Sequence, residues 1–137
     1  MVPVSDVDRS VAFYRDQVGF HLDVDWSPGP AYRVVQLTPA GSDAVSIQFG
    51  IGITGAVPGS LRGTYLVVSD LAAAIRFLEG NGVKVSAPRH KDTSAGEWQG
   101  SYADGIDMAH ADRASFADFS DPDGNLWTLQ EVGYSSS

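Results

Sequence analysis

A short cassette occurs twice in this chain. Val4-Ser5-Asp6-Val7 returns 64 residues later as Val68-Ser69-Asp70-Leu71, and Phe13 falls on Phe77 at the same spacing. A second spacing, of 82, places Leu37 on Phe119, Ile47 on Leu129 and Gln48 on Gln130. Self-similarity of this kind means that one supersecondary unit is built twice, and that neither copy buries its apolar face alone. In each copy a strand end runs into a helix cap, with Asp6 or Asp70 accepting from the first free N–H groups. Val7, Val11, Tyr14 and Val18 then form one helical stripe ended by Gly19, and Leu71, Ile75 and Leu78 form another ended by Gly80-Asn81-Gly82.

Strands follow both helices. Phe20–Asp25 alternates, which predicts Phe20, Leu22 and Val24 inward and His21 toward water. Trp26-Ser27-Pro28-Gly29-Pro30 reads as a connection, and Tyr32–Thr38 and Asp43–Phe49 as strands joined through Pro39-Ala40-Gly41-Ser42. In the second copy Val83–Ala87 matches Phe20–Val24, and Phe116–Glu131 forms a hairpin around Asp121-Pro122-Asp123-Gly124-Asn125. That turn is not an EF-hand loop, because Leu126 and Val132 stand where such a loop needs Gly and Glu. Each copy therefore reads β-α-β-β-β. One helix shields only one side of a sheet, so the expected architecture is α+β: two pseudo-symmetric modules forming a curved sheet around a concave cleft. The expected organisation is a single domain over 1–137, with module one at 1–50, a linker at 51–63 and module two at 64–134. Five glycines and Pro58 between Gly50 and Gly63 mark the linker.

Composition narrows the partners. Nine Lys and Arg against seventeen Asp and Glu leave a net charge of −8, which repels nucleic acid and anionic membranes and leaves small molecules as the expected ligands. The absence of cysteine excludes disulfides and thiolate chemistry and fits a reducing cytoplasm. No apolar run reaches the roughly 18–20 residues of a membrane span, and Val2-Pro3-Val4 lacks the pattern of a secretory signal.

The paired modules, Asp6-Val7-Asp8-Arg9-Ser10 followed by Phe13-Tyr14, and Asp121-Pro122-Asp123-Gly124-Asn125 before the last strand resemble the vicinal-oxygen-chelate superfamily of glyoxalases, bleomycin-resistance proteins and extradiol dioxygenases. The resemblance spans nearly the whole chain. It implies a divalent metal at four pseudo-symmetric positions, which in this sequence correspond to Thr128, Ser46, Thr64 and a position before Met1. Hydroxyls are poor ligands for such metals, so neither metal nor cofactor is expected. The resemblance also implies a homodimer.

Other residues carry the expected site. Alternation puts Ser46, Gln48, Thr128 and Gln130 on the side opposite Val45, Ile47, Trp127 and Leu129, as a neutral polar surface able to orient a carbonyl or hydroxyl. The long insertion Arg89–Arg113 offers Trp98 and Tyr102 as a lid over the ligand, and His90 and His110 as surface imidazoles. Three functions stay open: a metal-independent small-molecule binder, a glyoxalase-type lyase, isomerase or dioxygenase-like enzyme with a non-standard or metal-free site, and, last, an interaction domain. No catalytic residue is assigned.

Overall fold

The computed structural model describes residues 1–40, 45–91 and 101–136. It is a mixed α+β structure with a three-stranded and a five-stranded sheet, and it divides into two compact units. One comprises Met1–Arg62 with Ser120–Leu126, the other Gly63–Phe119 with Trp127–Ser137. Among the described residues no helix is long and apolar enough to cross a membrane.

In the first unit Asp6 has an extended backbone and accepts from the Arg9 amide at 3.1 Å, starting helix α1 (Val7–Ala12). The helix widens into a π-helical turn over Phe13–Gln17, closed by the Val18 amide donating to the Phe13 carbonyl at 3.0 Å. The wider turn lets two successive aromatics, Phe13 and Tyr14, both point inward beside the expected Val7, Val11 and Val18. Tyr14 packs on Phe20 and Phe49, with ring centres 5.9 and 5.7 Å away.

The sheet of this unit is antiparallel: β1 (His21–Gly29), β2 (Tyr32–Thr38) and β3 (Ile47–Ile51). Val35, Leu37 and Phe49 form its buried side. Three sequence expectations change here. A bulge between Leu22 and Val24 reverses which side later residues face, so Val24 is 42% exposed rather than inward. The segment Trp26-Ser27-Pro28-Gly29 continues β1 instead of ending it. Strand β3 starts at Ile47, which leaves Val45 and Ser46 exposed ahead of it.

The Asp121–Asn125 turn belongs to this unit. Asp121, 5% exposed, accepts from the amides of Asp123 and Asn125, from the Tyr14 hydroxyl at 2.7 Å and from the Asn125 side chain at 2.8 Å. Asn125 in turn donates to the Pro3 carbonyl and accepts from the Leu61 amide. Gly59, at φ +81°, passes so close that a Cβ there would lie 2.1 Å from the Asp123 carbonyl oxygen. The motif is thus a buried polar clasp on the N-terminal segment as well as a turn.

In the second unit Asp70 caps α2 (Leu71–Gly80) by accepting from the Ala73 amide at 3.0 Å. Its sheet runs in the order β4 (Thr64–Val68), β8 (Leu126–Glu131), β7 (Ser115–Ser120), β5 (Arg89–Lys91), β6 (Tyr102–Asp104). Strand β4 pairs parallel with β8, and β5 pairs antiparallel with β6 and β7. Val83–Ala87, expected as a strand, makes only an isolated bridge through Val85 to Phe119. The strand forms at Arg89–Lys91 instead, so the insertion expected as a loop supplies two strands of the sheet.

Candidate functional site: the open side of the second sheet

In a parallel pair, partners across the ladder point to the same side. Trp127, Leu129 and Glu131 are buried on the side of α2, where one Glu131 carboxylate oxygen accepts from the Leu71 amide at 2.9 Å. Their β4 partners are Thr64, Leu66 and Val68. Tyr65 and Val67 pair with Thr128 and Gln130 and therefore share the opposite, open side. Thr64 is thus on the wrong side of the sheet to join Thr128 and Gln130, and Tyr65 takes the place expected of it.

Contacts extend this side across the sheet. The Thr128 hydroxyl donates to Asp118 at 2.8 Å, and Asp118 accepts from Arg89 at 2.9 and 3.4 Å. The Arg89 guanidinium carbon lies 5.1 Å from the centre of the Tyr102 ring and 5.7 Å from that of Phe116. Phe116 meets Tyr65 and Tyr102 edge-to-face, at 6.2 and 5.9 Å. The Lys91 ammonium stands 4.1 Å from the Tyr102 centre. Tyr65 and Tyr102 are 53% and 50% exposed, so half of each aromatic side chain is open to solvent. The side expected to be neutral therefore carries two cations, Arg89 and Lys91, and two carboxylates, Asp118 and Asp104, among aromatic rings. Tyr102 stands on a strand of this sheet, and Trp98 lies outside the described residues.

The two glutamines occupy different settings. Gln130 reaches the Arg113 carbonyl at 3.4 Å, a long contact that leaves its amide adaptable, whereas Gln48 donates to Gln36 at 2.9 Å within the first sheet. Both histidines are bonded on the helix-facing side of the second unit. His90 alternates with Arg89 and Lys91 and bonds the Gly105 carbonyl through Nδ1 at 2.7 Å. The Nδ1 of His110 lies 2.7 Å from the second oxygen of Glu131, and its ring stacks on Tyr134 at 3.5 Å.

Sequence reasoning missed Tyr65, Arg89, Lys91, Phe116 and Asp118. For four of these the signal is i, i+2 spacing: Phe116 with Asp118 in a segment already expected as a strand, and Arg89 with Lys91, visible only once that segment is known to be one. For a metal, the open side offers a threonine hydroxyl, two phenols and two carboxylates, Asp104 and Asp118, the second already accepting from Arg89 and Thr128. That donor set does not fit a divalent transition metal, which needs several imidazole or carboxylate ligands. Among the described residues no three His, Asp or Glu side chains gather at a common point.

Comparison with known proteins agrees with this architecture. The family model "Glyoxalase/Bleomycin resistance protein/Dioxygenase superfamily" matches residues 1–129. A glyoxalase/bleomycin resistance protein from Streptomyces sp. CB03234 is 33% identical with a TM-score of 0.68, over 95% of each chain. TnmS3, an antibiotic binding protein from the same organism, is 34% identical with a TM-score of 0.69, covering 96% of this chain and 90% of its own. A superfamily member from Sphaerobacter thermophilus DSM 20745 is 27% identical with a TM-score of 0.65, over 95% of this chain and 91% of its own. No curated protein matches.

Proposed function

Since this chain belongs to the glyoxalase/bleomycin resistance protein/dioxygenase superfamily, we propose that it binds a small aromatic molecule on the open side of its second sheet and holds it without transforming it. The observation that carries this reading is the half-exposed aromatic group Tyr65 and Tyr102, backed by Phe116 and held in place by the Arg89–Asp118–Thr128 chain. Rigid rings with one wet surface bind flat apolar ligands at low entropic cost, and the neighbouring N–H and O–H groups orient them. A relative at 34% identity that binds an antibiotic supports sequestration as the concrete form. Gln130 and Thr128 line the edge of the site, Trp98 is the proposed cover, and the protein works as a cytoplasmic homodimer without metal.

The enzyme reading rests on His110 and Glu131, a bonded imidazole–carboxylate pair of the sort that moves protons. That carboxylate is engaged by the Leu71 amide on the helix-facing side of β8, which favours a structural role and hence the binding reading. The test is titration with a panel of polycyclic aromatic antibiotics, followed by mass spectrometry of the recovered ligand. Saturable one-to-one binding with the ligand unchanged is expected. Turnover lost in His110→Ala would establish the enzyme instead.

A further inference from the structure

We propose that the ligand of this side is an aromatic acid, whose anionic group is seated by Lys91 while its ring system lies against Tyr65 and Tyr102. The inference rests on the binding reading above and adds the charge of the ligand to it. The cations and carboxylates of the sheet do not cancel evenly. Arg89 and Asp118 neutralise each other through two hydrogen bonds. Asp104 stands opposite Arg89 in the β5–β6 ladder, whereas Lys91 stands opposite Tyr102. Lys91 is half-buried and, among the described residues, its ammonium has no carboxylate within ion-pair distance. The ammonium lies over the π face of Tyr102 at 4.1 Å.

An ammonium over an aromatic ring has exchanged part of its water shell for a quadrupole that takes none of its three N–H bonds in ordinary hydrogen-bond geometry. A carboxylate, sulfonate or phenolate at the rim of the aromatic group satisfies those donors. Arg89 uses two of its five N–H donors on Asp118, and its guanidinium carbon lies 5.1 and 5.7 Å from the Tyr102 and Phe116 ring centres, so its other donors are near enough for a second contact to the anion. The chain's net charge of −8 opposes an anion only at long range, because charges beyond about 8–10 Å are largely screened at physiological salt. Contact with Lys91 decides the local balance.

Two fluorescent probes with one skeleton isolate the charge: 1-anilinonaphthalene-8-sulfonate, and N-phenyl-1-naphthylamine, which lacks the sulfonate. Wild-type protein is expected to bind the sulfonate about fivefold or more tighter, a modest ratio because Lys91 keeps some solvent. Lys91→Gln should erase that ratio by weakening the sulfonate alone, and Lys91→Arg should restore it. Tyr65→Ala should weaken both probes together. Equal affinity for the two probes in wild type, or a ratio that survives Lys91→Gln, overturns the charge assignment while a response to Tyr65→Ala keeps the site. Failure of both probes to bind, or indifference of both to Tyr65→Ala, overturns the site and the charge assignment together.

Discussion

The two sheets agree on the side that faces a helix and differ on the other. In the first, Val35, Leu37 and Phe49 pack toward Tyr14 of the π-helical turn; in the second, Trp127 and Leu129 pack on the α2 side. Across from these, the first sheet presents Val24, Val34 and a Gln36–Gln48 amide pair that satisfies itself, with Trp26 edge-on to Tyr32 at 5.9 Å. The second presents Arg89, Asp118 and Thr128 linked among Tyr65, Tyr102 and Phe116. Burial worth about 25 cal/mol per Å² constrains the helix-facing sides to similar residues, while the open sides are free to diverge. Positions equivalent in the repeat, such as Gln48 and Gln130, therefore need not share a role.

The comparison breaks most visibly at the buried polar clasp around Asp121 in the first unit. Asp121→Ala leaves the Tyr14 hydroxyl, two amides and the Asn125 side chain without their acceptor, and should lower stability by about 3 kcal/mol or more in denaturant unfolding. A loss under 1 kcal/mol would mean that Asn125 holds the turn alone. Next in size is ligand binding. Tyr65→Ala should weaken affinity by about tenfold, near 1.4 kcal/mol, whereas Trp26→Ala in the first sheet should leave it unchanged. The reverse pattern in calorimetric titration would move the site to the first sheet.

A smaller effect sharpens the contrast between the amides. Gln130→Ala should weaken binding roughly two- to tenfold, the value of one neutral hydrogen bond, and Gln48→Ala should not. Equal losses in both would show that the two amides act on one ligand. The smallest effect is a pH dependence of the first unit. Arg33 donates to Asp25 through Nε and Nη2 at 2.9 and 2.8 Å, and these hydrogen bonds hold Asp25 below the ordinary carboxylate value. A carboxyl whose pKa is depressed on folding adds stability above its unfolded value, near 3.9, and loses it as pH falls through the folded value. Asp25→Asn should therefore flatten the loss of stability below about pH 4 by less than about 1 kcal/mol, because the pair is partly exposed. Parallel acid titrations of the two proteins would show this, and superimposed curves would discount the pair.

Much of this was legible from residue order. The Asp6 and Asp70 caps, the helix stripes and the tight turn at Asp121–Asn125 each depend on groups within about one helical turn of one another, so local chemistry suffices to read them. Val24 and Thr64 were misplaced for a shared reason. Alternation divides a strand into two sides, yet which side meets a given neighbour depends on register, and one bulge or a one-residue offset exchanges them.

By itself the sequence determined two Asp-capped helices and an apolar side for each sheet, because periodicity and capping are carried by neighbouring residues. Only the tertiary structure decided that Tyr65 rather than Thr64 stands beside Thr128, and that the supposed loop at Arg89–Lys91 is a strand. It also brought Arg89 to Asp118 across 29 positions of sequence and so placed charge on a side expected to be neutral. The physical reason is that such contacts are set by inter-strand pairing, which is a property of two distant segments together and of neither alone.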